Sequence, residues 1–515
     1  MLRGCASIFV AIAVSAPAQA APLPHVVRAH LTPADLQYFE QQCRLISRLH
    51  ELGIPADPSQ ADFFLATDFG LQQLPDDYDA MQRMAGFFSG ATGSRPRVVI
   101  FPPGKISILR AVETGGPRRN ATRDITFRQA GGVALMGCNT QLNVAGDFAF
   151  PLDLVHMGYG HSFRKQVIPF DFMGGAAIAL SGFNISGNIN ASPGRGEQRS
   201  GNGAIVETTS YGVFARGVFG LTLVDLNIHH FATDGLRIDA GKGAASKNLL
   251  ILRTSSHNNA RQGLTIGTVS KVHVKDSAFS GNGITDGAYL GHSPMAGIDI
   301  EPDQGGRASD ILIENCDMKN NAGSALLAAH RQTTRNVVLR NSTISNSSGG
   351  RYLIIMSVPD GEITGNTIDA AAGSIFPFWH ETDGAVPASD VSTLFKDNTV
   401  LNAGRGLTVD LKVDDAKQMM PAIDIVNNRF VESPGGGDKL PYLVGNAVST
   451  FSGNTVTYAA ARRPGDVVGY VYATTIAGNV FDASAVTARP LRVALKSGVD
   501  SSPRLVSIGG KRETP

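Results

Sequence analysis

The sequence predicts an all-β solenoid, a parallel β-helix with a short helical segment at its N-terminal end. The first observation is a repeat. A phrase of the form apolar-x-x-Asn/Asp/Ser-x-apolar recurs as VKDSAF, IENCDM, LRNSTI, ITGNTI, FKDNTV, IVNNRF, FSGNTV and IAGNVF, starting at Val274, Ile313, Leu339, Ile363, Phe395, Ile425, Phe451 and Ile476. LVDLNI at Leu223 and LRTSSH at Leu252 extend the series backwards. A repeat of this length suits one coil of about three short strands, stacked on the next at ~4.8 Å. The second observation is composition. Glycine supplies 58 of 515 residues and aromatics only 7%, as a fold made largely of turns requires.

The elements follow in order. Residues 1–20, MLRGCASIFVAIAVSAPAQA, have a basic Arg3, an apolar stretch from Ala6 to Val14 and the small-x-small sequence Ala18-Gln19-Ala20. This predicts a signal peptide, and the apolar part is too short for a membrane span. Cys5 lies before the apolar stretch, which excludes a lipoprotein. No other segment is long and apolar enough to cross a bilayer, so the expected location is periplasmic or extracellular. Residues 21–62 form a helical segment, in which Thr32 is an N-cap, Pro33 opens the helix and Asp35 completes a capping box. Leu36, Phe39, Cys43, Ile46 and Leu49 follow helical spacing, and Gly53 ends the helix. Residues 63–140 are read as an N-terminal cap and first coil. They include a second helix, DDYDAMQRMAGFF, with Tyr78, Met81, Ala85 and Phe88 on one face. The coils occupy 141–483, and 484–515 is a C-terminal tail. The helical segment is expected to cover the open end of the coils.

Three cysteines remain after residue 20, Cys43, Cys138 and Cys316. They are too few and too far apart for a disulfide framework, and allow one bridge or buried free thiols. The formal charge of +1, with signs interspersed, argues against nucleic acid or an anionic membrane as partner. Asn366, Asn398, Asn428, Asn454 and Asn479 share one place in the repeat, so they are expected to stack in a turn column. Val400, Phe430 and Val456 beside them should point inward.

A resemblance adds to this. TDFGLQQLPDDYDAMQRMAGFF followed by RVVIFPPGKISI is similar to the entry segment of right-handed parallel β-helix proteins of the pectate-lyase-like superfamily. Asp68, Phe69, Gly70, Asp76, Asp77, Pro102, Pro103 and Gly104 carry the match. The resemblance implies a right-handed coil. It leaves the chemistry open, because that superfamily includes lyases, hydrolases, epimerases and non-catalytic adhesins. ATDG at 232–235 matches part of the polygalacturonase pattern, but the paired Asp-Asp and Gly-His-Gly that should follow are missing. No catalytic residue is carried over.

The longest interval in the repeat, from Val274 to Ile313, holds the surplus loop GITDGAYLGHSP and then MAGIDIEPDQGG. Asp299, Glu301 and Asp303 alternate there, as residues on one side of a strand do. Aligning GLRID, GLTIG, GIDIEPD and SALLAAH builds an outward column: Arg237 and Asp239, Thr265 and Gly267, then Asp299, Glu301 and Asp303, then Leu326, Ala328 and His330. Arg261 enters the second of these strands. Small residues beside the carboxylates predict an open groove.

Three readings of the acidic row stand side by side. Same-face carboxylates have Cα atoms ~6.6 Å apart, near the lower end of the carboxyl spacing of inverting glycosidases, and mutual repulsion would turn one into an acid. Alternatively the row binds Ca²⁺, with Arg261, His330 or a lysine as the base of a uronate lyase or C5-epimerase. The third reading is a solvated strand balanced by Arg237, Arg261 and Arg307. His257 aligns with Phe279 and Met318, which predicts a core histidine, whereas His229 and His230 lie in a turn. Trp379, the single tryptophan, lies in a second long excursion, where it would stack on a sugar or pack on the fold. Phosphate loops, dinucleotide fingerprints and zinc spacings are absent from the sequence, so no organic cofactor is expected.

The sequence therefore predicts an exported enzyme that degrades or modifies a polysaccharide. Hydrolysis by Asp299, Glu301 and Asp303 leads, with Arg237, Asp239, Arg261, His330 and Trp379 as substrate-binding groups. No metal is required in that reading, and Ca²⁺ belongs to the alternative. A uronate lyase or epimerase, and a non-catalytic glycan-binding or surface-structural protein, are the other classes.

Overall fold

The computed structural model describes residues 31–514 apart from 74, 91, 115–122, 145–162, 190–197, 200–204, 207–209, 284–292, 303–304, 330–332, 346–351, 371–373, 377–391, 403–421, 434–447, 460–462, 487–489 and 498–503. The expected signal peptide, most of the surplus loop, Asp303, His330 and Trp379 lie outside the described residues.

The chain is a right-handed parallel β-helix. Among the described residues, coils up to Ser374–Phe376 contribute strands to three columns, and strands pair in parallel with their counterparts one coil away. The first column includes Val213–Arg216, Asp234–Asp239, Gln262–Ile266, Ile298–Ile300 and Leu326–Ala328. In the second, Ile251, Val274, Ile313, Leu339, Ile363, Phe395, Ile425, Phe451 and Ile476 are successive register partners, as the repeat predicts from Val274 onward. All but Ile476 are fully buried. The third column carries Ile228, Phe279, Met318, Ile344, Ile368, Val400, Phe430, Val456 and Phe481 into the same core.

The corner between the second and third columns explains the repeat phrase. Asp276, Asn315, Asn341, Asp397 and Asn427 have φ between 50° and 57°, and Gly365, Gly453 and Gly478 occupy the same place. Only glycine, asparagine and aspartate adopt this left-handed conformation at low cost. The next residue turns its side chain into the stack. Asn366, Asn398, Asn428 and Asn454 each donate Nδ2–H to the next asparagine's Oδ1 at 3.0 Å. Each Oδ1 from Asn398 to Asn479 also accepts the preceding asparagine's backbone N–H at 2.8–2.9 Å. Ser342 continues the column toward the N-terminus, and Thr514 Oγ1 caps it beyond Asn479. Asn259, Asn282 and Asn321 form a second ladder at another corner, with Nδ2–Oδ1 distances of 3.0 Å.

The N-terminal helices divide the covering of the coils between them. Tyr78–Phe88 buries Tyr78, Met81, Ala85 and Phe88 in the central core, as its periodicity predicts. The earlier helical segment lies on the outside of the first coils instead of over their end. Leu36, Cys43, Leu45 and Leu49 pack on Val98, Ile100, Ala134, Met136 and Ala179, a separate cluster. The reason is that both faces of RVVIF are apolar, so its outward side chains also need cover. The segment is two helices, Pro33–Cys43 and Leu45–Glu51, broken at Arg44, which has φ 55°. Thr32 and Asp35 form the expected capping box. At the break, Arg48 Nε donates to the freed Cys43 carbonyl at 3.0 Å, and Arg48 Nη1 donates to Gly137 O at 3.0 Å. A Cys43–Cys138 disulfide ties these helices to the coils, and Cys316 is a buried free thiol.

At the other end, Lys511–Glu513 pairs antiparallel with Val480–Asp482 and closes the last rung. Val467–Ala473, Leu491–Ser497 and Arg504–Ile508 form a separate three-stranded sheet.

The asparagine column yields a test. Asn428→Leu keeps the volume but leaves the Asn398 backbone N–H, Asn454 Oδ1 and Phe395 O short of a partner. At roughly 1–3 kcal/mol for each of these three buried groups, the expected loss is about 3–9 kcal/mol. Asn427→Gly, at the left-handed corner, should change stability by under about 1 kcal/mol. Urea unfolding of the two variants measures the contrast.

Candidate functional site

The first column carries the acidic stretch. Arg237 is the register partner of Thr265, Thr265 of Asp299, and Asp299 of Leu327. Leu264, Ile266, Ile298 and Ile300 alternate with these residues and fill the core. The Glu301 N–H donates to Ile266 O at 2.9 Å, so the ladder runs on one residue past the strand. Asp299 and Glu301 therefore lie on the outward side, where the sequence places them.

Their environments differ sharply. Glu301 is exposed, whereas Asp299 is only 1% exposed. Asp299 Oδ2 is hydrogen-bonded to the side-chain amide of Gln262, and its Oδ1 is buried without a hydrogen-bond partner. Burial, and then the neighbouring charge of Glu301, push the Asp299 carboxyl well above the usual carboxylate range, against the opposing pull of Arg261. The other end of the Gln262 amide meets Thr265 Oγ1, which also lies 2.8 Å from Asp234 Oδ2. Asp234 is fully buried and receives both Nε and Nη2 of Arg261, at 2.8 and 2.9 Å. A continuous polar chain thus runs from an ion pair to a carboxyl whose burial disfavours its ionised form.

Several groups read from the sequence as substrate contacts are committed elsewhere. Arg261 is 4% exposed and consumed by Asp234. Asp239 accepts from Arg237 Nη2 at 3.0 Å and from the backbone N–H of Ala240 and Thr268 at 2.8 and 3.1 Å. It staples the end of its strand. The small residue expected to open a groove here makes room for this carboxylate: a Cβ on Gly267 would meet Asp239 Oδ1 at 2.5 Å. The register of the fourth coil is one residue off the sequence alignment. Leu326 and Ala328 are core residues, and Leu327 is the outward neighbour of Asp299. The corner before Leu326 is as long as those before Leu236 and Leu264, so the sequence alignment set this strand one residue too early. Asp234, Gln262 and Thr265 were missed as site residues. Asp234 stands in the partial ATDG motif, but Gln262 and Thr265 gave no signal, because their role depends on neighbours in other coils.

Among the described residues, no three His, Cys, Asp or Glu side chains are grouped to hold a metal ion. No described helix is long and apolar enough to cross a membrane.

No protein-family model matches the sequence, and no curated protein does. Solved structures share the fold. A surface adhesin of Streptococcus pneumoniae is 12% identical over 88% of this chain and 99% of its own, with a TM-score of 0.46. The catalytic unit of an α-1,3-glucanase from Streptomyces thermodiastaticus is 12% identical over 88% of this chain and 72% of its own, with a TM-score of 0.47. A mannuronan C-5 epimerase module from Azotobacter vinelandii is 15% identical over 82% and 99%, with a TM-score of 0.43. The parallel strand pairing of this chain is that of a right-handed parallel β-helix.

A second polar cluster lies on the third column. The sequence alignment puts His257 in the core, but the register partner of Val274 is Ile251, not Leu252, so Ser256 faces inward and His257 outward. His257 stacks on His229 with ring centroids 5.2 Å apart, and His229 Nδ1 lies 2.7 Å from His230 Nδ1. His229 Nε2 and His257 Nε2 are bound to Asn184 Oδ1 and Asn227 Oδ1 at 2.9 and 3.0 Å. Burial, then the proximity of His230 and His257, lower the His229 pKa to about 4. The unfolded chain therefore takes up a proton near pH 6.5 that the folded chain refuses until about pH 4. Stability from this residue is complete above pH 6.5 and is lost as pH falls toward 4. His229→Gln, which can still donate to Asn184, should flatten that part of the profile of melting temperature against pH. An unchanged slope would mean that the imidazole is not the group responsible.

Proposed function

We propose that the protein is an exported enzyme that acts on a polysaccharide and hydrolyses its glycosidic bonds, with Asp299 as general acid and Glu301 as general base. The observation that carries this reading is the unequal pair: a buried carboxyl with one oxygen unpartnered, raised by burial and by its neighbour above the usual carboxylate range, two residues from exposed Glu301 on the same outward side. Separating the ionisation of two neighbouring carboxyls is how one site supplies both an acid and a base near neutral pH. The long lateral face of a rigid solenoid suits an extended polymer.

In this mechanism Asp299 gives its proton to the glycosidic oxygen as the bond to the anomeric carbon breaks. Glu301 takes a proton from a water whose oxygen bonds that carbon from the opposite side. The products are two shortened chains, one with a new reducing end, and the anomeric configuration inverts. Asp303 is the reserve candidate for the base. No metal ion enters this chemistry. Ion pairing of Arg237 and Arg261 to Asp239 and Asp234 favours hydrolysis over a lyase or epimerase reaction, which needs a cation committed to the substrate's carboxylate. The Cys43–Cys138 bridge suits an oxidising compartment outside the cytosol.

The experiment is digestion of a panel of acidic and neutral polysaccharides, followed by new reducing ends and by unsaturated uronates. On the polymer that proves active, Asp299→Asn and Glu301→Gln should each lower turnover by ~10²–10⁴. Because the acid must keep its proton, activity should persist above the ordinary aspartate range and fall as pH rises through the raised Asp299 value. Full activity in both variants removes the assignment. Unsaturated products indicate elimination, and binding without products indicates an adhesin.

A further inference from the structure

The Gln262 amide has two possible orientations, which differ only in exchange of Oε1 and Nε2. With Nε2 against Asp299, Oε1 faces Thr265 Oγ1. The single hydroxyl proton of Thr265 then faces two acceptors, Gln262 Oε1 and Asp234 Oδ2, and can serve one of them. One buried oxygen–oxygen contact is left without a proton. Turning the amide over removes the conflict without moving another heavy atom, and amide orientation is properly assigned from the hydrogen-bond network. Nε2–H then donates to Thr265 Oγ1, and the Thr265 hydroxyl donates to Asp234. Oε1 now faces Asp299 Oδ2, so one of these two oxygens must carry a hydrogen. Only the carboxyl can.

We infer that Gln262 and Thr265 are positioning residues that hold Asp299 as a neutral acid, through a one-way chain in which Asp299 Oδ2–H donates to Gln262 Oε1, Gln262 Nε2–H to Thr265 Oγ1, and Thr265 Oγ1–H to Asp234. Arg261 anchors the far end by a bidentate ion pair that keeps Asp234 an acceptor. The buried, unpartnered Asp299 Oδ1 supports this independently. On an ionised carboxyl it would be a buried charge without a donor, whereas on a neutral acid it is a carbonyl-type oxygen with a much smaller desolvation cost. The charged groups acting on Asp299 from the surrounding elements are Asp234, Arg261 and Glu301. Arg237 and Asp239 pair with each other, and the next strand presents Leu327. The role of the chain in holding the acid proton rests on the hydrolytic reading above, but the protonation itself does not.

Thr265→Val decides the direction of the chain. In the proposed direction, valine removes the acceptor that orients the amide. Gln262 is then free to present Nε2–H to Asp299 and stabilise its ionised form. In the opposite direction Thr265 donates to Gln262 and supports donation to an anionic Asp299, so valine would make ionisation harder. Infrared difference spectra of the intact protein read this without substrate. At neutral pH the wild type should show a protonated carboxylic C=O band that is missing from Asp299→Asn. The midpoint at which this band disappears should fall by about one pH unit in Thr265→Val, the size expected for reversing a hydrogen bond to a buried carboxyl, and return in Thr265→Ser. Absence of the band, or a Thr265→Val midpoint that is unchanged or higher, overturns the proposal. If Thr265→Val does not fold, the wild-type and Asp299→Asn spectra still decide whether Asp299 holds the proton. A band present at neutral pH while Asp299→Asn retains full turnover would remove the catalytic assignment and leave the protonated chain standing.

Discussion

The constraint on which this molecule depends is that every coil must turn its chain inside a stack from which water is excluded. At the corner after the second strand the backbone uses a left-handed residue, and the next side chain is forced inward among polar backbone groups. An apolar residue there would leave N–H and C=O groups unpaired. Asparagine meets the need because its amide has two donors and two acceptor positions, and from Asn366 to Asn454 the ladder uses them between coils and on a strand carbonyl. The apolar core on either side is held in register by this column, since a one-residue slip would exchange the inward and outward residues of a strand.

The outward side of the first column obeys a different rule. Carboxylates there are matched with arginines from neighbouring positions: Asp171 with Arg216, Asp239 with Arg237, Asp234 with Arg261. Pairing at 2.7–3.0 Å allows these groups to be buried ionised. Asp299 breaks the rule. Among the described residues no arginine forms an ion pair with it, and burial beside Glu301 raises its carboxyl above the usual range. Asp299 thus stands apart from the ion-paired carboxylates of this face.

The N-terminal segment shows how cover is distributed when a first coil is apolar on both faces. Tyr78–Phe88 fills the inside while Pro33–Cys43 and Leu45–Glu51 shield the outside. The break at Arg44 lets two short helices follow a curved surface that one straight helix would leave. Arg48 satisfies the carbonyl exposed by the break, and the disulfide anchors the pair to the coils.

By itself the sequence determined the coil, the asparagine column, the inward positions from Val274 to Phe451, the capping box at Thr32 and the outward placement of Asp299 and Glu301. These depend on period, turn chemistry and polarity, which neighbouring residues in the chain express directly. Tertiary structure decided which outward groups are spent. Arg261 and Asp239 look like free charges in sequence and are consumed by Asp234, Arg237 and backbone N–H groups. Gly267 looks like open space and is filled by a carboxylate. His257 and Leu326 were misplaced because a one-residue shift in aligning the repeat inverts inside and outside. The Asp299 carboxyl is governed by burial and by groups distant in sequence, such as Gln262, 37 residues away. The reason is physical: a side chain's direction follows from local backbone period, whereas its charge state follows from the summed field and solvation of groups that only coil stacking brings together.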